Sequence, residues 1–458
     1  MAKTLPLEGI RVVDLSVIWA APFTTWLMGC LGAEVIHVDN TQHMPDFHRM
    51  FVRWPFPGDL ELPGSRADYP GRNVSERPWN RGSMWARIGW NRLSCAINID
   101  TPEGKEVALR LIDKADIFMA VFPIARAGID YCTDPLMMER NPRLICINMP
   151  SWGRSGPYMN YVGWGALHEA IGGHDWMRGY PDDEHPAHNV FRFHMDSTTG
   201  PTALFGAIMG LIRREKTGKG MWVDYAQMES MFHHFGEIYM DAAWNGRDTR
   251  TIGNRHPTVV QGCYLCRGPE PTDETARCGG ERWINITINN DEEWKGFCDA
   301  MGNPEWTKDE KFSDVLSRYK NHDELDEHIS GWTRLHDNFE IFYMLQQNGV
   351  PAGPVQDWRD TYMDPQLNAR GFFQTITQAD IGTFRYPGWP WKLSETPCRV
   401  LNPPCMLGEH DDYVFREVIG MSEDEVAELT GKGAIGVLDK NAPYPWAGPM
   451  PENIADEK

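Results

Sequence analysis

Among the side chains able to do chemistry, one carboxylate is set apart by its surroundings. In "FRFHMDSTTGPTALFGAIMG" (191–210), Asp196 lies between an aromatic-rich run and a small-residue apolar segment. After it, Ala203, Leu204, Ala207, Ile208, Leu211 and Ile212 recur at helical spacing, and "RREKTGKG" supplies basic residues and a glycine stop. Pro201 favours a first-turn position, so the spacing predicts a helix beginning at 197 or at 201. Either start leaves Asp196 at the positive end of the helix dipole. Dipole and free backbone N–H groups would hold its pKa at or below the ~3.9 of a free Asp unless desolvation opposes them. An ionised, partly desolvated carboxylate is a usable nucleophile. Asp is also a common helix cap with no further role, and the local pattern leaves both readings open.

Other chemistry-bearing patterns are sparse. Cys263 and Cys266 have C-x-x-C spacing, with Cys278 further on, the beginning of a zinc or redox set that no second C-x-x-C or histidine pair completes. No metal site is expected. The ten cysteines are scattered, several within apolar runs such as "RLICINM", and read as reduced thiols. There is no G-x-G-x-x-G after the first strand, and no G-x-x-x-x-G-K-[ST], G-x-S-x-G or H-E-x-x-H. A formal charge of −20 opposes binding to nucleic acid and to anionic lipid. No apolar run approaches the ~20 residues that span a bilayer, and "MAKTLPLEGIRVVDLS" does not read as an export signal. A cytoplasmic location, without nucleic-acid or membrane partners, is expected.

The elements that must position Asp196 are legible as alternating strands and helices. "IRVVDL" (10–15), an apolar helix in 21–33 and "EVIHV" (34–38) form a βαβ unit, which demands parallel strands and a right-handed crossover. Asp100 or Thr101 caps a second helix with Pro102 in its first turn, followed by buried strands "IFMAVF" (117–122) and "RLICINM" (143–149). A doubly wound parallel sheet follows. The Pro-, Trp- and Arg-rich stretch 41–90 is too aromatic for a linker and is expected to pack, a cleft wall being one place for it. Length predicts two unequal domains: 1–225 as the N-terminal part of a large domain, 226–345 as a small α+β domain with linkers, 346–440 returning to the large domain, and 441–458 as a surface tail. Ser422, with Glu425 three residues on, caps a last helix.

The segments "LPLEGIRVVDLSVIWAAPFTTWLMGCLGAEVIHVDN", "IDTPEGKEVALRLIDKADI", "NPRLICINMPSWGRSGPY", "MDSTTGPTALFGAIMGLIRREKTGKGMWVDYAQMES", "GNRHP", "GVPAGPVQDWRDTYMDPQLNARGFF" and "LGEHDDYVFREVIGMSEDEVAELTGKGAI", in this order from residue 5 to about 435, resemble the class III CoA-transferase family. The resemblance implies a Rossmann-like large domain built from both chain ends, a small central domain, and two subunits interlocked like chain links, or a heteromer with a related subunit. It implies Asp196 as the nucleophile that takes up an acyl group, acyl-CoA and an organic acid as substrates, and no tightly bound cofactor. Succinyl-CoA is one candidate donor. The small-domain loop near "GNRHPTVVQGC" would supply oxyanion donors, with Gly253 and Gly262 as candidates. Trp19, Ala20 and Trp152 are expected along the acyl-CoA cleft, where aromatic walls suit a bulky or aromatic acyl group. The family's Asn-Phe-Arg/Lys-Pro-Gly stretch reads "AVFPIARAG" here, keeping Phe122 and offering Arg126; "NRLS" puts Arg92 where relatives have a phosphate-binding lysine, and Arg154 is a further cation. The racemase branch of the family uses a histidine where Trp164 stands; His168, His174 and His194 are out of register and are expected to be surface or packing residues. Transferase is therefore preferred over racemase or epimerase.

Overall fold

The apolar runs read as strands do pair, in parallel, because each is buried on both faces. In the computed structural model the described residues are 5–39, 49, 69–72, 77–121, 134–184, 194–268 and 280–436. Six strands, β1 (Arg11–Leu15), β2 (Glu34–Asp39), β3 (Leu93–Ala96), β4 (Ile117–Ala120), β5 (Ile145–Asn148) and β6 (Met221–Asp224), form one sheet in the order β3-β2-β1-β4-β5-β6. All neighbours are parallel, with Val12 opposite both Val35 and Ile117. Successive residues feed opposite cores: Val12, Ile117 and Met119 pack on one face, Val13, Phe118 and Ala120 on the other. This is the doubly wound arrangement, whose strand order reverses between β1 and β4.

Helix α1 (Ala20–Cys30) carries no charge and buries all but one residue, as a helix wedged between sheet and neighbour must. Helix α2 (Ser83–Ile88) lies within the aromatic stretch, whose Trp85 and Trp90 are fully buried. Of the two cap candidates Thr101 serves, its hydroxyl accepting the Gly104 N–H at 3.0 Å ahead of α3 (Pro102–Ile112). Helix α5 (His194–Thr217) packs on β5 and β6, and α4 (Gly165–Ile171) packs on α5.

The chain divides into two compact units. One comprises 1–173, 190–245 and 371–458, so both ends of the chain build it; the other comprises 174–189 and 246–370. The divides at 245 and 370 differ from the expected 225 and 345, for local reasons. Past β6, Met231 is fully buried and the Ser230 hydroxyl lies 3.0 Å from that of Thr199 on α5, which keeps this stretch in the first unit. At the other end β9 (Ala352–Val355) pairs with β8 (Arg282–Ile288), itself paired with β7 (Val260–Cys266), in an antiparallel sheet of the second unit. Ile284, Ile286 and Ile288 alternate into its core. The returning C-terminal segment contributes a hairpin, β10 (Phe373–Gln378) and β11 (Gly382–Pro387), then docks on the sheet: His410 N–H donates to the Ser94 carbonyl at 3.0 Å, and Val414 and Phe415 fill one core. Ser422 caps the last helix by accepting the Glu425 N–H at 3.2 Å. No helix among the described residues is long and apolar enough to cross a membrane. The tail 441–458 lies outside the described residues.

Candidate active site

At the carboxyl end of β1 the chain enters a tight turn in which Ile18 takes φ +67°. A β-branched side chain pays of order 1–3 kcal/mol for that region. The turn delivers Trp19 as the residue ahead of α1 and leaves the Ala20 N–H free of any helical acceptor. That N–H and the backbone N–H of Asp196 lie near the Asp196 carboxylate, and both favour its ionised form.

Asp196 reaches this position because α5 packs against α1 and β5 through small residues. A Cβ on Gly200 would come within 2.4 Å of the Phe23 ring, and one on Gly210 within 2.8 Å of Ile145. Ala203 and Ala207 are buried between them. Among the described residues the helix begins at His194, so Asp196 sits inside its first turn rather than ahead of it. Pro201 is accommodated within the helix.

The environment of Asp196 sets desolvation against the helix end. The side chain is only 6% exposed. Burial, reinforced by the negative charge of Glu169 on α4, pushes its pKa up to about 7, against the two backbone N–H groups and the more distant Arg87. Desolvation outweighs the helix end here. Glu169 is fully buried; it accepts the Met195 N–H at 3.3 Å and lies 3.1 Å from His194 Nδ1.

Around this centre the candidate residues fall into different places. Trp19 is half-buried with the Arg87 guanidinium 5.0 Å from its ring centre. Trp152 stands edge-on to His168 at 5.5 Å and to Tyr158 at 5.8 Å. The indole N–H groups of Trp19 and Trp152 and both nitrogens of His168 are buried without a hydrogen-bond partner among the described residues. Burial drives the His168 pKa down to about 4 despite the neighbouring Glu169, so its ring is neutral at pH 7. His168 is a packing residue, buried beside Trp152, while the partly exposed His194 pairs with the Glu169 carboxylate.

Arg92 is not an available phosphate ligand. It is fully buried, donating to Asp14 at 3.0 Å, to the Thr25 hydroxyl at 2.8 Å and to the Pro22 carbonyl. Burial alone would raise the Asp14 pKa, but His37, Arg92 and Ser16 hold it down at about 2. Beside this pair Arg49 grips Asp39 through two hydrogen bonds of 2.8 and 2.7 Å. These are structural ions under the strand ends. Arg154 lies over the Trp222 ring at 4.3 Å and its N–H binds Asp224. Phe122 and Arg126 lie outside the described residues.

In the second unit, Gly253 has φ +66° and its N–H already donates to the Thr251 hydroxyl at 3.1 Å. Gly262 lies in β7 opposite Ile286, where a Cβ would strike the Tyr264 ring at 2.4 Å. Both glycines have a packing or turn reason of their own. Cys263 and Cys266 are three residues apart on β7 and so face opposite sides of the strand; Cys278 lies outside the described residues.

Glu169 and Arg87 were not singled out from sequence. The available signal for Glu169 is an acid in the short, glycine-bounded "GALHEAIGG"; "SMWARIGW" offers none for Arg87 beyond its aromatic neighbours.

Known proteins share this architecture. A protein of the CaiB/BaiF family from Brucella suis superposes with a TM-score of 0.74 at 24% identity, covering 91% of this chain and 100% of that one. The succinyl-CoA–D-citramalate CoA-transferase of Chloroflexus aurantiacus is 28% identical over 433 residues, 94% of this chain and 98% of its own. The human succinyl-CoA:glutarate CoA-transferase is 24% identical over 445 residues, 95% and 91% of the two chains. The model of CoA-transferase family III matches residues 7–411, and the chain belongs to that family of enzymes.

Proposed function

We propose that this enzyme moves CoA from an acyl-CoA donor, succinyl-CoA in the first instance, to an organic carboxylic acid, with Asp196 as the covalent carrier. The carrying observation is a nearly buried carboxylate at a helix start, near the Ala20 N–H at the strand end where the sheet order reverses. An Asp196 oxygen attacks the thioester carbonyl; the C–S bond breaks, its electron pair leaves on sulfur, and an acyl-aspartyl anhydride and CoA thiolate result. The thiolate attacks the aspartyl carbonyl and releases the first acid, leaving an aspartyl-CoA thioester. The acceptor carboxylate attacks that thioester, giving a second anhydride and thiolate, and the thiolate takes the new acyl group. Asp196 is regenerated as carboxylate. Each addition creates an oxyanion that fixed N–H donors stabilise, and the Ala20 N–H beside Asp196 is the candidate donor.

The donor assignment is supported by relatives named for succinyl-CoA. The buried indole N–H groups of Trp19 and Trp152 offer donors to amide or carboxylate oxygens, and their rings favour an acceptor with a bulky or aromatic body. Resident cofactors play no part in this cycle. A partner chain is supported by an apolar stripe on α5, where Phe205, Met209 and Ile212 follow at helical spacing and are each about half exposed or more. We assign it to an interlocked second copy in the cytoplasm. A heteromer is the second reading, because relatives include the alpha and beta subunits of a succinyl-CoA–L-malate CoA-transferase; light scattering on the purified chain, with an activity assay, separates the two. Racemisation is disfavoured by Trp164 at the position of the second base, and solvent deuterium appearing at the α-carbon of an acyl-CoA would reverse that preference.

The direct test is trapping. Incubation with succinyl-CoA and hydroxylamine should convert Asp196, and no other carboxylate, to a hydroxamate visible in the tryptic peptide by mass spectrometry, and Asp196→Ala should lose both the adduct and exchange. Undiminished exchange by that variant overturns the assignment.

A further inference from the structure

One group beside Asp196 has no part in the cycle above. Glu169 is fully buried on α4, and a buried carboxylate needs a reason to be there. Its Oε1 accepts the N–H of Met195, the residue before Asp196, at 3.3 Å, and stands 3.1 Å from His194 Nδ1. It therefore ties the first turn of α5 to α4 at the point where the nucleophile sits. We infer that Glu169 is a positioning residue for transfer: anchored by Met195 and His194, it holds the first turn of α5 and presents a fixed negative charge that makes the Asp196 carboxylate a stronger nucleophile.

The physical reasoning rests on Asp196 becoming neutral when acylated, and so on the reading proposed above. Two neighbouring carboxylates in a dry site repel. Converting Asp196 to an anhydride or a thioester removes one of the two charges and relieves the repulsion. The fixed charge thus destabilises the free ionised nucleophile relative to both covalent states. After burial itself, Glu169 is the strongest influence keeping Asp196 protonated. The other groups acting on Asp196 are Arg87 at the end of α2 and the N–H groups of Ala20 and of Asp196 itself, all of which act in the opposite sense. On its own helix His194 faces Glu169, and the His194 ring stacks on His234 at 5.4 Å. Next to Glu169, His168 is neutral at pH 7.

Glu169→Gln keeps the shape and an oxygen for the Met195 N–H while deleting the charge. The experiment follows the rate of the hydroxylamine-trapped Asp196 adduct from succinyl-CoA between pH 5 and 9, in the wild-type chain and in Glu169→Gln. The expected result is an acid limb near pH 7 in the wild type that moves down by about one pH unit or more in the variant. The plateau rate falls by about threefold or more, as a less basic carboxylate attacks more slowly. A variant slower by one factor at every pH, with its limb unmoved, shows a merely structural role and overturns the inference. Far-ultraviolet circular dichroism and the urea midpoint report whether the variant is folded; if it is not, Glu169→Asp, which keeps the charge, is read in its place and must keep the wild-type limb, a shifted limb overturning the inference. Absence of any adduct in the wild type overturns the Asp196 reading and this inference with it, whereas an adduct with identical limbs in both proteins overturns this inference alone.

Discussion

Replacing Asp196 by Asn should make the protein more stable, and only above a definite pH. The carboxyl goes from 3.8 in a free chain to about 7 in the folded one. Between those values the native state holds a proton that the unfolded state has released, so native stability falls as pH rises through the window and levels off above it. At 1.36 kcal/mol per pH unit, the ionised Asp196 costs the fold up to about 4 kcal/mol at pH 8. Asn is neutral, of the same shape, and can still accept the Ala20 N–H. The Asn variant should therefore match the wild type at pH 4 and exceed it progressively between pH 4 and 7, approaching a gain of about 4 kcal/mol at pH 8, the upper bound. Urea unfolding of both proteins at five pH values measures the difference, with m-values compared to confirm that the same transition is followed. A difference that does not vary with pH, or an Asn variant that is less stable at pH 8, refutes the argument that desolvation dominates at this carboxylate.

Arg92→Met should cost about 3–5 kcal/mol by stranding the Asp14 carboxylate in the interior, seen as a lower urea midpoint; a folded variant of normal stability with a raised KM for acyl-CoA would restore Arg92 as a phosphate ligand. Gly200→Ala should drive its Cβ into Phe23, for a loss of about 1–3 kcal/mol from overpacking against about 1 kcal/mol regained in helix propensity. Because the same contact sets Asp196 against Ala20, kcat should fall about 10- to 100-fold, and Phe23→Leu in the same chain should restore part of it. Size-exclusion chromatography with light scattering should find Phe205→Asp dissociated or insoluble; a soluble, fully active oligomer would remove the apolar stripe of α5 from the partner interface.

The parallel sheet could be read from the chain because β1, β2, β4 and β5 are short β-branched or apolar runs buried on both faces, a pattern that needs no knowledge of neighbours. Ser422 was legible as a cap, and Thr101 as one of two candidates, for the same reason: a capping side chain acts within three residues. Asp196 was singled out by its place before an apolar helix, but the direction of its pKa was not, since the opposing terms come from burial and from Glu169, 27 residues earlier in the chain. Arg92 shows the same limit in reverse. A lone arginine after a turn looks available for phosphate until Asp14, 78 residues away, is found beneath the same sheet edge. The compact units divide at 245 and 370 where the sequence suggested 225 and 345, because side-chain packing across the chain, here Met231 and the pairing of β9 with β8, decides which unit a segment joins.

The return of the C-terminal segment sets an order of events during synthesis. The Ser94 N–H donates to His410 Nδ1, 316 positions later, and Ser94 accepts from the backbone N–H groups of His410 and Gly408, while Arg49 donates to the Cys405 carbonyl. At roughly 5–20 residues per second on the ribosome, the edge of the sheet at β3 waits of order 15–60 s for the segment that covers it. Most of the second unit, 246–370, emerges during that interval. A nascent chain of this protein therefore carries an unfinished sheet edge for longer than a small domain takes to fold, and chaperone occupancy should concentrate on its first half.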